Sequence, residues 1–255
     1  MRVLELWRFP VKSLQGERVD AADLGPGGVD GDRRFAIFDV ATGYGLTARR
    51  APEMLFASAR TTPGGGVEIT LPDGGVAADD AALSAWLGRA VTLRSADEVA
   101  ERRYENPDDA ETEAEESWGP FVGADGAFHD TQGATVTVLS TTSTGGEPTR
   151  RFRANVVVEG AGEDGLLGRR VRIGTATLAV AMPIARCVMV TRAQPGGIGV
   201  DREVLRRIHR EHGGNLAVGG SVAAPGTVRV GDALVRDADG PRPGAPDRGT
   251  GRTTC

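Results

Sequence analysis

The chain has 255 residues, enough for one large domain or two packed domains with a substantial core. Its formal net charge of −5 does not favour a nucleic-acid-binding surface. No stretch approaches the roughly 20 apolar residues of a membrane helix, and the N-terminus does not resemble a signal peptide. Two cysteines, Cys187 and Cys255, are too few for a disulfide framework. We therefore expect a cytoplasmic protein with no nucleic-acid or membrane partner.

Short segments rich in β-branched residues recur along the chain, and each ends at a cluster of Gly, Pro, Asp or Ser. Many short strands separated by glycine-rich turns favour a barrel or sandwich over an alternating βα sheet. Strands are predicted at residues 3–9, 34–39, 68–71, 91–94, 134–140, 155–159, 170–173, 176–181, 187–191 and 227–230. Short helices are predicted at 80–88, between an Asp and a Gly, and at 201–212, before a Gly pair. The expected fold is mainly β with a few short helices.

The composition of the chain changes near residues 120–133. Just before this point, residues 97–116 contain ten carboxylates. This pattern predicts a solvated surface stretch, or alternatively a docking patch for a basic partner. Residues 237–255 contain little that could be buried and predict a disordered tail that carries Cys255 as an exposed thiol. We therefore divide the chain into domains at 1–125 and 126–236, followed by the tail 237–255.

Two familiar motifs carry little weight here. Residues 160–165 fit the G-x-G-x-x-G pattern, but a strand-like segment follows directly where a dinucleotide site needs a helix. A turn between strands accounts for these glycines. His209 and His212 share a helix face, yet no residue at metal-ligand spacing completes a site with them. We expect both to be surface histidines.

A more informative pattern places Lys or Arg beside Ser, Thr or Asn where loops meet strands. Four segments show it: PVKSL at residues 10–14, GDRRF at 31–35, LTAR at 46–49 and RFRAN at 151–155. Such side chains can converge on a phosphate and a hydrogen-bonding heterocycle, because Arg offers a planar fork and Lys a point charge. Cys187 follows Arg186 directly. A neighbouring cation favours the thiolate, which is a soft metal ligand or a nucleophile, although an isolated cysteine is more often structural.

Together these segments resemble the MOSC family, named after the C-terminal domain of molybdenum-cofactor sulfurase, and are most similar to its amidoxime-reducing branch. Seven pieces occur in the family's order: PVKS, GDRRF, LTAR, FHD followed by VLSTTS, RFRAN, ARC, and a closing PG-x-V-x-V-GD at residues 225–232. The resemblance implies a MOSC β-barrel packed against an N-terminal MOSC-associated β-rich domain. It also implies a molybdenum cofactor of the molybdopterin type between the two.

The resemblance further assigns site residues. Cys187 is the expected metal ligand and catalytic residue. The residues in motifs expected to bind the pterin and its phosphate are Lys12, Ser13, Arg34, Thr47, Arg49, Asp130, Thr131, Arg153, Asn155 and Arg186. Related sequences often carry an aromatic residue near 215–220. This chain has Gly219 and Gly220 there, which predicts a wider or altered substrate pocket.

The resemblance implies an oxidoreductase that reduces N-hydroxylated small molecules or transfers an oxygen atom. Two cysteines cannot hold an iron–sulfur cluster of their own, so a separate electron-donor protein of the ferredoxin or flavin reductase type is expected. Two alternatives stay open. One is a sulfur-transfer protein with a persulfide on Cys187, and the other is a non-catalytic carrier of the cofactor.

Overall fold

Strands dominate the secondary structure. The computed structural model describes residues 1–107 and 118–236, and within them it has two α-helices, α1 (Asp80–Leu87) and α2 (Glu203–His212). The strands in chain order are β1 (Val3–Arg8), β2 (Glu17–Val19), β3 (Ala21–Gly25), β4 (Gly28–Val29), β5 (Phe35–Asp39), β6 (Ser58–Thr61), β7 (Val67–Thr70), β8 (Val91–Ser95), β9 (Arg103–Pro107), β10 (Trp118–Val122), β11 (Val136–Ser140), β12 (Val156–Val158), β13 (Arg169–Ile173), β14 (Ala176–Ala185), β15 (Asn215–Ala224), β16 (Gly226–Arg229) and β17 (Leu234–Arg236). The expected mainly β fold is confirmed.

The largest sheet has eight strands in the order β17-β13-β14-β15-β11-β12-β1-β2. Neighbouring strands pair antiparallel, except that β11 and β12 run parallel. β12 consists of three consecutive valines, and all three are buried because the strand is covered on both faces. The sheet curls around a core of Val, Leu and Ile, in keeping with a chain that is only 5% aromatic.

The first strands of the chain belong to this large sheet. β1 pairs with β12 and β2 pairs with β1, so both extend a sheet whose other strands all follow residue 135. β3 pairs with β16 near the other end of the sequence. Val3 and Leu6 of β1 are buried in the same core as Val156 and Val158 of β12. The N-terminal segment therefore completes the C-terminal half.

A second core lies among residues 11–93, between the strand pairs β5–β8 and β6–β7 and helix α1. The Asp79 side chain caps α1 by accepting a hydrogen bond from Ala82 N at 2.9 Å. The helix ends at Gly88, which adopts a left-handed φ of 65°. Both signals are visible in the sequence, and the helix predicted at 80–88 is confirmed.

Helix α2 covers the segment that follows Cys187. Its inner residues Val204 and Ile208 pack in one cluster with Val190. It ends at Gly213, which has a φ of 59° and donates a hydrogen bond to His209 O at 3.1 Å. The helix predicted at 201–212 is therefore confirmed.

One predicted strand is wrong, and eight strands were not predicted, of which β15 is the longest. Residues Val188–Thr191 form a short 3-10 turn beneath α2, and Val190 packs against this helix. β15, which contains Gly219 and Gly220, was not predicted. These glycines lie where β14 and β15 approach so closely that a Cβ on Gly220 would stand 2.1 Å from the carbonyl oxygen of Ala179.

Some predictions fall outside the described residues. The carboxylate-rich stretch 97–116 is described only as far as residue 107, and the tail 237–255 with Cys255 is not described. In the ranges 1–107 and 118–236, no helix is both long and apolar enough to span a membrane.

Candidate functional site

A cavity lies between the N-terminal core and the cluster beneath α2. It contains about 1070 Å³ of empty space, including its opening to solvent. Widely separated parts of the chain form its walls, from the PVKS motif at residues 10–13 to the ARC motif at residues 185–187. The lining residues are Lys12, Ser13, Arg33, Thr47, Ala48, Arg49, Leu55, His129, Asp130, Thr131, Ala134, Thr137, Arg151, Phe152, Arg153, Asn155, Ile184, Ala185, Arg186, Cys187, Met189 and Val190.

Lys12 enters the cavity from the turn after β1. Its backbone nitrogen donates to Phe35 O at 2.8 Å, which joins this turn to β5. The side chain is almost completely buried and forms an ion pair with Asp130. Its Nζ also lies 5.0 Å from the centre of the Tyr104 ring. The ion pair and the ring offset the cost of removing the ammonium group from water.

Arg33 and Arg153 share an aromatic support. The carbon of each guanidinium group lies over the Phe9 ring, at 5.2 Å for Arg33 and 4.5 Å for Arg153. Asp32 forms an ion pair with Arg33 and also accepts a hydrogen bond from Phe9 N at 2.6 Å. Arg153 Nη1 donates to the carbonyl oxygen of Leu14. These contacts hold both guanidinium groups at fixed positions in the wall.

Backbone strain is concentrated at the same place. Among the described residues, four that are not glycine have a left-handed φ: Ser13 (70°), Arg33 (49°), Arg153 (53°) and Ala217 (78°). The first three line the cavity. Each such residue costs about 1–3 kcal/mol, and residues of this kind cluster at functional sites. Their positions support the identification of this cavity as the functional site.

The wall that carries Cys187 is anchored by its neighbour. Arg186 donates from Nε to Leu216 O and from Nη1 to Phe152 O, both at 2.8 Å. Its backbone nitrogen donates to Gly214 O at 2.9 Å. Cys187 itself is half-buried and lies directly before the 3-10 turn. Arg186 therefore holds the segment in place, and the thiol faces a cavity that a ligand can enter.

Two further lining residues act mainly as scaffold. Arg151 donates from Nη1 to Val190 O at 2.9 Å and from Nη2 to Gly199 O at 3.2 Å. Asn155 accepts hydrogen bonds from the backbone and hydroxyl of Thr137 and donates to the backbone of β1. Because the protein already uses these polar groups, both residues shape the wall more than they offer free donors.

Thr47 offers a polar atom that the described part of the protein leaves unused. Its carbonyl oxygen accepts from Arg50 N at 3.0 Å and Ala51 N at 2.9 Å, which forms a tight turn at the cavity wall. Its hydroxyl is buried and has no hydrogen-bond partner among residues 1–107 and 118–236. A buried polar group without a partner costs about 1–3 kcal/mol. The hydroxyl therefore fits a site completed by a polar ligand.

The cavity has a marked excess of positive charge. Six cationic side chains line it, against the single carboxylate of Asp130. Burial alone would raise the pKa of Asp130, but Lys12, followed by Arg33 and Arg153, holds this pKa well below its usual range. Half of the Asp130 side-chain surface is accessible because it borders the cavity. Burial and then the charge of Arg33 lower the pKa of Arg153 to about 10.

The cavity brings together ten of the eleven residues predicted from the sequence. The exception is Arg34, which ion-pairs with Asp97 at 3.1 Å on the surface. Arg33 occupies the cavity in its place. Sequence reasoning also missed His129 and Arg151. His129 lies in the FHD motif and Arg151 in the RFRAN motif, so membership in the motif series was the sequence signal that could have indicated these two residues. The binding roles of these residues remain predictions.

The residues present fit an anionic, metal-bearing group. Fixed guanidinium and ammonium groups match phosphate oxygens, the unused Thr47 hydroxyl matches a polar edge, and the Cys187 thiol is a soft metal ligand. Apolar side chains of Leu55, Phe152 and Ile184 complete the lining and limit the access of water.

Comparisons with known proteins identify the family. Among solved structures, the YUAD protein from Bacillus subtilis is 14% identical, over 93% of this chain and 96% of its own, with a TM-score of 0.41. YiiM from Geobacillus stearothermophilus is 17% identical over 53% of this chain and 72% of its own, with a TM-score of 0.33. YiiM from Escherichia coli is 18% identical over 42% and 56%, with a TM-score of 0.31. Among curated proteins, no sequence matches the chain.

Family profiles match nearly the whole chain. Residues 1–113 match the MOSC N-terminal beta barrel domain, and residues 123–235 match the MOSC domain. Every lining residue of the cavity falls within one of these two ranges. The chain therefore belongs to the MOSC family and contains both its N-terminal barrel domain and its MOSC domain.

Proposed function

We propose that this MOSC protein binds a molybdenum cofactor of the molybdopterin type and reduces N-hydroxylated compounds or transfers an oxygen atom. One observation carries the proposal: six cations and the Cys187 thiol line the same cavity. A cation-rich lining suits the phosphate of such a cofactor, and a thiolate suits its metal.

The cationic residues would bind the phosphate. Lys12, Arg33 and Arg153 are held by ion pairs, ring contacts and backbone hydrogen bonds, so little side-chain freedom is lost when an anion binds. An anion also offsets the repulsion between the two arginines. Arg49, Ser13 and Thr131 add polar groups along the same lining, and the buried Thr47 hydroxyl gains a partner.

Cys187 would ligate the metal, and the cofactor, when bound, supplies two-electron redox chemistry at that metal. The chain's own contribution is positioning. Arg186 fixes the backbone on one side of Cys187 through three hydrogen bonds, and the 3-10 turn beneath α2 fixes it on the other. Phe152, Ile184 and Met189 keep this end of the cavity apolar, which limits competition from water.

The reaction requires a source of electrons. Reduction of an amidoxime to an amidine consumes two electrons and two protons and releases one water. With two cysteines in 255 residues, the chain cannot supply the ligands of an iron–sulfur cluster itself. A separate donor protein of the ferredoxin or flavin reductase type would therefore supply the electrons that reduce the small-molecule substrate.

Elemental analysis tests the proposal. The protein is expressed in cells with intact cofactor biosynthesis, beside a Cys187→Ser variant and a Cys255→Ser control that alters the other cysteine. We expect near-stoichiometric molybdenum in the parent and in the control, and its loss in Cys187→Ser. Reduction of benzamidoxime with an added reduced donor should follow the metal content.

Other outcomes contradict the proposal in distinct ways. Metal-free protein whose Cys187 carries the mass of one extra sulfur atom would support the sulfur-transfer alternative. Bound molybdenum and pterin without turnover of any N-hydroxylated substrate would support a carrier.

A further inference from the structure

His129 lines the cavity, yet the proposed function gives it no role. The side chain is almost completely buried. The preceding residue, Phe128, donates its backbone nitrogen to Arg33 O at 2.7 Å, so His129 is held beside the cationic wall. Its Nε2 lies 3.1 Å from the carbonyl oxygen of Gly27. The ring is therefore anchored at one nitrogen.

The turn that anchors His129 has little freedom to move. Gly28, next to the anchoring carbonyl, has a φ of 104°, and a Cβ there would lie 2.4 Å from the carbonyl oxygen of Thr135. Close approach of two backbone segments thus fixes the position of Gly27. The imidazole meets a rigid acceptor.

This acceptor determines which nitrogen carries the proton. A carbonyl oxygen only accepts hydrogen bonds, so Nε2 of His129 must be the donor. In the neutral ring Nδ1 is then an acceptor. Within residues 1–107 and 118–236, the His129 side chain forms its hydrogen bond with Gly27 through Nε2. Nδ1 can therefore accept a hydrogen bond from a molecule in the cavity.

The surroundings keep the ring neutral. Burial and then the charge of Arg33 lower the pKa of His129, and these effects outweigh Asp32, the Gly27 carbonyl and Asp130, which act in the opposite direction. Asp130 is itself paired with Lys12. Nδ1 of His129 is thus a neutral acceptor in a lining whose six cationic side chains can only donate.

We propose that His129 Nδ1 is a recognition atom of the cavity, which accepts a hydrogen bond from an N–H or O–H group of the bound molecule. The inference rests on the proposed function and extends it. Two sources share this chemistry: a ring N–H of the pterin and the hydroxyl of an N-hydroxylated substrate. A ligand without a donor at this position would displace water from Nδ1 without replacing its hydrogen bond, and would bind more weakly.

Nitrogen NMR tests the proposal directly. The chain has three histidines, so a sample labelled with ¹⁵N-histidine gives three pairs of imidazole signals, Nδ1 and Nε2 of each ring, which single His→Gln variants assign. At pH 7 we expect His129 in the neutral form with its proton on Nε2. Its Nδ1 resonance should move upfield when it accepts a hydrogen bond. Cofactor-loaded and cofactor-free protein are compared, and benzamidoxime is then added to each.

The arms of this experiment separate the sources. A shift of Nδ1 on cofactor loading identifies the pterin as the donor, and a shift only with benzamidoxime identifies the substrate. A proton on Nδ1, or an unchanged Nδ1 in every arm, would overturn the proposal. Metal analysis of the same samples judges the proposed function separately, because benzamidoxime added to metal-free protein still tests Nδ1.

Two variants probe the role in binding. His129→Gln retains an amide donor for Gly27 but removes the Nδ1 acceptor, whereas His129→Asn retains an acceptor near Nδ1. We expect His129→Gln to weaken cofactor retention or raise KM about tenfold, with kcat unchanged and His129→Asn closer to the parent. His209→Gln on α2 is the control. Equal losses in both His129 variants would show a structural role and overturn the proposal.

Discussion

Arg33 and Arg153 are placed together although their charges repel each other. Both lie over the Phe9 ring, and repulsion from Arg33 adds to burial in lowering the pKa of Arg153 to about 10. Asp32 and Asp130 offset only part of this positive charge. The pKa of Arg33 is nevertheless raised, because Asp32 and Asp130 outweigh its burial, so the unfavourable part of the arrangement falls on Arg153. An anion bound beside Arg153 would offset this repulsion, which supports the proposed anionic ligand.

Replacement of Arg153 should therefore weaken binding far more than it affects folding. Loss of a charge-assisted contact is worth about 1.5–3 kcal/mol, roughly tenfold to a hundredfold in affinity. We expect Arg153→Ala to lose cofactor during gel filtration, measured as molybdenum per chain. Arg34→Ala, which removes an exposed arginine outside the cavity, should retain it. Equal retention in the two variants would contradict the anion-binding role.

The Asp130 carboxylate makes a second prediction, on pH dependence. Lys12, Arg33 and Arg153 hold its pKa below the usual range, so the ionised form stabilises the folded state. A group with a lowered folded-state pKa contributes stability above its unfolded value, about 3.9, and this contribution is lost as pH falls further. Asp130→Asn should be less stable than the parent at pH 7, with the difference shrinking below about pH 4.

Urea unfolding at a series of pH values from neutral to acidic measures this effect. Asp97→Asn serves as the control, since Asp97 forms an exposed pair with Arg34 and surface pairs contribute little. The prediction fails if the free energies of unfolding of the parent and of Asp130→Asn fall in parallel as the solution becomes acidic.

The composition of the site was largely predictable from the sequence, but its finer geometry was not. Cationic residues beside small polar residues at strand ends indicated the right segments. The motif GDRRF could not distinguish Arg33 from Arg34, because the choice depends on a left-handed φ at Arg33 just before β5. Asn155 likewise reaches the cavity, but its side chain already forms hydrogen bonds with Thr137 and with the backbone of β1.

At the scale of elements, the pairing of β14 with β15 decides how the site is closed. The glycine pair on β15 predicted a wider or altered pocket, and the space beside Gly219 is occupied by neighbouring side chains. A Cβ on Gly219 would lie 2.6 Å from Cδ1 of Ile184 and 2.8 Å from Cβ of Ala134, both in cavity-lining residues. The glycines allow the two strands to approach, and that approach positions Ile184 in the wall.

Of the two glycines, Gly220 should tolerate an added methyl group less well than Gly219. Its Cβ would collide with the backbone oxygen of Ala179, which cannot rotate away as a side chain can. Overpacking of this kind costs about 1–3 kcal/mol, so urea unfolding of Gly220→Ala should show a loss in this range. Gly25→Ala on β3, where a Cβ meets nothing within 4 Å, is the control. Equal stabilities would contradict the close approach.

Errors at the element scale share a cause. The local sequence pattern identified both helices, because the residues that cap or end a helix lie next to it in the chain. The segment after Cys187 has strand-like composition, but its Val190 packs against α2 and Phe152. These residues are distant in the sequence, so the local pattern does not show the contact. The glycines of β15 likewise serve a long-range contact between strands, which the local pattern does not show either.

For the whole molecule, the two halves share strands and side-chain bridges. β1 and β2 extend the C-terminal sheet, and the Lys12–Asp130 pair crosses from one half to the other. Gln15, whose amide also donates to Leu55 O, donates to Gln194 Oε1 at 3.2 Å, and both glutamines are buried. Separation of the halves would exchange these hydrogen bonds for bonds to water, at a net cost of about 0.5–1.5 kcal/mol each, and would also expose the apolar core that β1 shares with β12. The halves should therefore unfold together.

Three tryptophans allow this cooperativity to be measured. Trp7 lies on β1 in the large sheet, and Trp86 lies on α1 against the second core. One variant keeps only Trp7 and another keeps only Trp86, with phenylalanine at the other positions. In each variant, the fluorescence midpoint in urea should coincide with the midpoint from far-UV circular dichroism.

This comparison is made within each variant, so unequal losses of stability from the substitutions do not affect it. Two independent units would separate the local fluorescence transition from the global one, most clearly for Trp86, which packs against the second core. Coincident midpoints in both variants would mean that the cavity between the cores persists as long as the fold does. A ligand held there would then stabilise both halves at once, and the shift in each midpoint would report the same binding free energy.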